Sequence, residues 1–244
     1  MAVTLPVSVV EGRIGRRYLR PPVPLHFPEE EKVPEGAFHD LLRALLADSV
    51  RYAFWERAQI CSNQFLYWDR GNPKRCLAPD LAVRYGSRSE VLGSWKVWEM
   101  GAPHVVVEIT SDSDRPAAKL RDRLRGYQQA GVLEVVCFDH ENQRTPLRIW
   151  DLFDGDLVER DPEGPKAFAC DTLGLFWCVK HSSELGATLR LARDPEGLEL
   201  LPSGEEAERA AKDAALAAKD AALAAKDAAL ARIAELEAEV ARRR

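Results

Sequence analysis

An α/β (or α+β) fold, a mixed β-sheet core flanked by helices and followed by a long Ala-rich helix, is what this sequence predicts. Three observations carry that expectation. Ala102–Thr110 and Val132–Asp139 are apolar runs rich in β-branched residues, of the kind buried on both faces of a sheet. Helical patterns precede the first run and separate the two, the order expected of a mixed sheet covered by helices. From Ala214 the chain reads AALAAKD, repeats it at Ala221, and begins it again at Ala228, a period of seven.

The elements follow in order. Residues 1–34 hold six prolines and irregular polarity, which suits an extended N-terminal arm with one short strand at Val7–Val10. From Glu35 to about Tyr52, Phe38, Leu41, Leu42, Leu45, Leu46 and Val50 recur at helical spacing. Residues 53–68 are aromatic and β-branched enough for a strand pair, and Asp69–Lys74 has turn chemistry. A strand at Ala78–Tyr85 and a Gly-interrupted polar loop, Gly86–Gly101, lead to Ala102–Thr110. Asp112 or Asp114 can cap a helix from Arg115 to about Ala130, and Gly131 supplies its stop signal. Beyond Asp139, short β-like pieces at Leu147–Phe153, Leu173–Val179 and Leu189–Leu191 are split by Asp-Gly and Glu-Gly turns. The division expected is an arm at 1–34, a folded domain at 35–202 and a helical tail at 203–244.

In the tail, the Leu of each repeat has Lys or Asp three and four residues away, so Leu216 and Leu223 do not join a heptad seam. Only Ile233, Leu236 and Val240 have seam spacing. A long helix is expected, either a coiled coil that makes the protein a homo-oligomer or a solvated stalk.

With 244 residues and 46% hydrophobic content, a core domain plus an appendage is possible. The net charge of -5 provides no overall basic field, so binding to nucleic acid requires a local patch. Five cysteines without a C-x-x-C pair suggest neither a zinc site nor a disulfide framework. No signal peptide and no 18-residue apolar span is visible, so no membrane association is expected and the cytoplasm is the default compartment.

Glu108 is the chemical anomaly, a charge inside Val105-Val106-Val107-Glu108-Ile109-Thr110. Burying it requires a partner or a metal. Asp80, after Pro79 at the head of the preceding strand, is a second acid. Two carboxylates at neighbouring strand ends repel when dry, and a divalent cation ligated by both relieves this. Mg²⁺ (or Mn²⁺) suits such oxygen ligands, with the Ile109 carbonyl as a third. On the next helix Lys119, Arg123 and Tyr127 are spaced by four and share a face, where a cation can steer water or hold phosphate. Arg115, Lys119, Arg121, Arg123 and Arg125 make this helix the strongest basic patch. A salt bridge from Arg123 or Lys119 would satisfy Glu108 equally well. His39 and Asp40 on the first helix are further candidates to reach the site. His104 reads as a surface residue, Cys137 as core, and Trp95 and Trp98 as base-stacking or sheet-edge aromatics.

The order of these motifs resembles the Uma-two family of restriction endonucleases, within the PD-(D/E)XK nuclease superfamily. The resemblance spans about Glu35–Leu175. It rests on Pro79-Asp80, Trp98-Glu99-Met100-Gly101, Val107-Glu108-Ile109-Thr110-Ser111-x-Ser113, Tyr127-x-x-Ala130-Gly131-Val132 and Phe138-Asp139, with Gly71-Asn72-Pro73 and Leu173-Gly174-Leu175 in support. It implies a restriction-endonuclease-like domain over 35–202 that hydrolyses DNA phosphodiester bonds. Asp80 and Glu108 would be its Mg²⁺ ligands. Thr110 stands where the superfamily has its lysine. In the family that lysine usually sits on the next helix, four residues before the tyrosine; here Arg123 holds that position and Lys119 lies one turn earlier. Arginine holds phosphate but cannot give up a proton, which leaves a competing expectation. In that alternative the domain is catalytically degenerate, a binding or assembly module that oligomerises through its tail.

Overall fold

The computed structural model describes residues 25–28, 36–110, 117–164, 168–183 and 185–243. Strand Val7–Val10, the capping roles of Asp112 and Asp114, and the basic residue Arg115 fall outside them.

The expected first helix is α1 (Ala37–Phe54). Leu42, Leu46, Ala47, Val50 and Phe54 are buried, while Leu41, read as part of the apolar stripe, faces out. Six strands form the main sheet: β1 (Ala58–Cys61), β4 (Leu81–Tyr85), β6 (Val105–Thr110), β7 (Glu134–Asp139), β8 (Leu147–Phe153) and β9 (Asp156–Glu159), in the order β1-β4-β6-β7-β8-β9. Only β6 and β7 pair in parallel in this sheet; the other neighbours run antiparallel. A parallel pair needs a crossover, supplied by the segment containing α3 (Ala117–Ala130). Two smaller sheets are β3 (Cys76–Leu77), β2 (Leu66–Tyr67) and β5 (Trp95–Lys96), and β10 (Ala169–Cys170), β11 (Leu175–Ser182) and β12 (Gly186–Ala192). The one-turn helix α2 (Val97–Met100) interrupts the expected polar loop.

The period of two along each strand divides the core into two layers. Val105, Val107, Ile109, Val136 and Phe138 pack toward α1 and toward Trp177 and Leu189 of the β10–β12 sheet. Val106, Val135, Cys137 and Trp150 pack toward Tyr127, Leu120 and Leu124 of α3 and toward Trp95. Each fully buried valine contributes about 1.5–3 kcal/mol, which is why both strands read as unbroken apolar runs. Gly126 lets α3 approach β3, since a Cβ there would lie 2.6 Å from Leu77 Cδ1. Gly131 ends the helix at φ 76°, the left-handed conformation its stop signal required. From the arm, Phe27 packs edge-on against Tyr67, whose hydroxyl donates to the Pro28 carbonyl at 2.7 Å.

The tail is one helix, α4 (Gly204–Arg242), 39 residues long and without a buried side chain. At 1.5 Å per residue it extends about 58 Å. Ser203 and Glu206 close a capping box at its start. Arg190 donates to Glu206 at 3.0 and 2.6 Å, and Asp48 accepts from Gly204 N at 2.8 Å. No helix among the described residues is long and apolar enough to cross a membrane. The Arg190 guanidinium, bonded to the Glu206 carboxyl, holds its pKa below the ordinary value. A depressed carboxylate stabilises above its unfolded pKa and loses that contribution as pH falls through its folded pKa. Amide-exchange protection of Glu206 and Ala207 is therefore expected to drop on acidification to about pH 2. Protection unchanged from neutral pH would reject this linkage.

Candidate functional site

Asp80 sits between β3 and β4, and Glu108 lies in the centre of β6 with Val106, on the face that looks at α3. Both carboxylates are buried, at 5% and 2% exposure. Isolated ions at that depth are costly, so each must be matched by donors. Glu108 is matched on both oxygens: Arg123 donates to Oε2 and the Tyr127 hydroxyl to Oε1. The spacing of four that put Arg123 and Tyr127 on one helix face brings them to the same carboxylate. Burial pushes the Tyr127 phenol well above its ordinary pKa, with the Glu108 charge and hydrogen bond next and Asp80 adding to the effect. The phenol is thus held as the donor to Glu108.

Asp80 Oδ2 accepts the backbone N–H of Ile109 at 2.7 Å. His39, from the first turn of α1, brings Nε2 to 2.9 Å from the Ile109 carbonyl oxygen and to 3.4 Å from Asp80 Oδ2. Facing two acceptors, Nε2 carries the hydrogen in this arrangement. Its neighbour Asp40 accepts from Arg43 at 2.6 Å. Of the two first-helix candidates, His39 therefore joins Asp80 and Ile109, whereas Asp40 pairs along its own helix.

The remaining candidates divide clearly. Lys119 is solvent-exposed on α3, one turn before Arg123. Thr110 donates to the Phe138 carbonyl at 3.3 Å at the carboxyl end of β6. Cys137 is buried, and burial raises its thiol pKa beyond any reactive range. Trp95 is fully buried with Nε1 bonded to the Gly101 carbonyl at 2.9 Å, so it presents no face to a base. His104 is half-buried and held by Arg84 and the Tyr85 amide.

Two features were not read from the sequence. A cleft of about 640 Å³ opens at the carboxyl ends of the β6–β7 pair, lined by Thr110 and Asp139 of those strands and by Arg144 and Arg148 of the β7–β8 hairpin. Arg148 is fixed by Glu159 at 2.7 and 2.8 Å. The second is another buried acid, Glu134 at the head of β7, which accepts from Arg160 at 2.8 Å and from Trp177 Nε1 at 2.7 Å. Its sequence signal resembled that of Glu108: an acid opening the run Val135-Val136-Cys137-Phe138.

For a divalent cation, the fit lies in the acceptors. Asp80 Oδ2 and the Ile109 carbonyl converge on one point, now taken by an N–H donor, as ligands of a cation must. Glu108 stands next to them with its charge on Arg123. Among the described residues, no three His, Cys, Asp or Glu side chains converge as a preformed metal cluster. Among the described residues, the Asp80 and His39 side chains meet the focus together with the Ile109 backbone oxygen.

A family model described as "Uma2: Putative restriction endonuclease" matches residues 29–177. Among solved structures, the chain is similar to one described as a putative nuclease belonging to DUF820 from Anabaena variabilis ATCC 29413. That likeness has 14% identity and a TM-score of 0.40, and covers 57% of this chain and 74% of that one. No curated protein matches the chain.

Proposed function

The chain belongs to the Uma2 family of restriction-endonuclease-like proteins, and from that membership we propose that it is a divalent-metal-dependent nuclease that hydrolyses DNA phosphodiester bonds. The observation that carries this reading is the convergence of Asp80 Oδ2 and the Ile109 carbonyl on one point beside a second buried carboxylate, Glu108. Asp80, Glu108 and Ile109 would hold Mg²⁺ or Mn²⁺, which supplies water activation and charge neutralisation at phosphate when bound.

The chain's own residues do the rest. Asp80 provides fixed negative charge oriented by the Ile109 N–H. Arg123 holds the Glu108 carboxylate and presents a guanidinium suited to a phosphate oxygen, with Lys119 one turn earlier on the same helix. The Tyr127 hydroxyl orients Glu108 from the buried side. Arg144 lines the cleft, where a second phosphate of the strand would be neutralised. The tail helix is proposed to join copies of the chain into a homo-oligomer in the same soluble compartment as the DNA.

The Arg123–Glu108 pair also favours the second reading, a nuclease-fold binding module. An arginine at the family's lysine position cannot pass a proton and clamps the very carboxylate a metal would use. Plasmid nicking with Mg²⁺ and Mn²⁺ separates the two. The wild type is expected to nick, and Arg123→Lys to nick about tenfold faster or more, because lysine carries the charge and, unlike arginine, can release a proton. Binding of DNA without cleavage by either protein, with any divalent metal, would establish the binding module instead.

A further inference from the structure

His39 is not accounted for by the two-carboxylate scheme, yet it occupies the focus of that scheme. Its Nε2 is 2.9 Å from the Ile109 carbonyl and 3.4 Å from Asp80 Oδ2, and its side chain is only 14% exposed. The helix that carries it is packed on the sheet through Leu42, Leu46 and Val50, so the ring is delivered by a rigid element. A cation bound by Asp80 and Ile109 would meet this nitrogen at once. A neutral imidazole need not leave: moving its hydrogen from Nε2 to Nδ1 keeps the charge unchanged and turns the Nε2 lone pair toward the same point.

We propose that His39 is a nitrogen ligand of the divalent cation in the Asp80–Ile109 site, and that it makes the site select Mn²⁺ over Mg²⁺. This rests on the metal-dependent reading above. The selectivity follows from ligand chemistry. Mg²⁺ requires hard oxygen donors in near-ideal octahedral geometry and sheds water reluctantly. Imidazole suits first-row transition ions, and an N,O,O set favours them over Mg²⁺. Glu108 strengthens the case, because its two oxygens are engaged by Arg123 and Tyr127. With Glu108 held by these partners, His39 Nε2 is a side-chain donor already in place beside Asp80, adding to the ligands named above.

The test uses the full chain with Mn²⁺ alone as the probe. Electron spin-echo envelope modulation of the Mn²⁺-loaded wild type is expected to show coupling to a directly bound ¹⁴N. In His39→Leu that coupling should vanish, and calorimetry should show Mn²⁺ affinity lower by about 10- to 100-fold, with Mg²⁺ affinity changed far less. Mn²⁺ bound without ¹⁴N coupling in the wild type would overturn the role of His39 and leave the metal site standing. Coupling that persists in a folded His39→Leu protein would assign the nitrogen elsewhere and overturn it too. If neither Mn²⁺ nor Mg²⁺ binds the wild type, the metal site itself falls, and the proposal with it. The wild-type spectrum decides the question even if the variant does not fold.

Discussion

Asp80→Asn is expected to lower metal-dependent DNA cleavage by about 10³-fold and to reduce Mn²⁺ binding, with the fold intact. Asparagine keeps the volume and can still offer a carbonyl oxygen to the Ile109 N–H, the bond that seats Asp80 at 2.7 Å. What it removes is the negative charge. Its consequences are therefore confined to the cation and the phosphate chemistry that depends on it. Glu108→Gln is a less clean experiment, because it would also strip Arg123 of the carboxylate it pairs with. Calorimetry with Mn²⁺, plasmid nicking and urea unfolding should be run on the same preparation. Full binding and full activity in Asp80→Asn would remove Asp80 from the site.

Arg160→Met is expected to cost about 3–5 kcal/mol of stability without touching the candidate site. Arg160 donates to Glu134 at 2.8 Å and to Asp151 at 2.6 and 2.7 Å, and also bonds the Ala169 carbonyl. Glu134 is 3% exposed and also accepts from Trp177, so the network ties the main sheet to β11. Without Arg160, a charged carboxylate stays buried with only neutral partners, Trp177 and Cys170, among the described residues. Burial already raises the Glu134 pKa, against the pull of its Trp177 and Arg160 partners. A raised acid penalises folding above its unfolded pKa, increasingly up to its folded pKa, so the deficit in the variant should shrink as pH falls. Replacing both partners, Arg160→Met with Glu134→Leu, should restore most of the loss. Urea unfolding gives the comparison, and a single-variant loss below about 1 kcal/mol would contradict the network's role.

Glu134 also shows where a sequence reading runs out. Glu108 and Glu134 carry the same local signal, an acid in an apolar strand, and only their surroundings differ. Glu108 could be interpreted because Arg123 and Tyr127 follow it on the next helix at a spacing of four. Glu134 could not, because Trp177 is 43 residues away and nothing local announces the pairing. The same limit hid the meeting of His39 with Ile109, 70 residues apart, although His39 was a candidate. Local patterns did reveal α1, the parallel strands, α3 with its glycine stop, and the long tail helix. They did not reveal β9 and β10, whose short segments are strands only because β8 and β11 are there to pair with. Trp95 fell on the wrong side of the same line: a Gly-interrupted polar loop gave no hint that its indole would be fully buried.

The parallel pair of the main sheet, β6 beside β7, has a kinetic consequence. Because α3 bridges those strands, Glu108 finds Arg123 and Tyr127 only 15 and 19 residues ahead of it. Asp80 must reach 29 residues ahead to meet Ile109, and His39 must span 70. The entropy lost in closing such loops rises with their length, so the contacts form at increasing expense in that order. The ion pair is the local, readily formed part of the constellation. The cation's focus is the distant part, complete only when the first helix has docked onto a sheet assembled from residues far ahead of it.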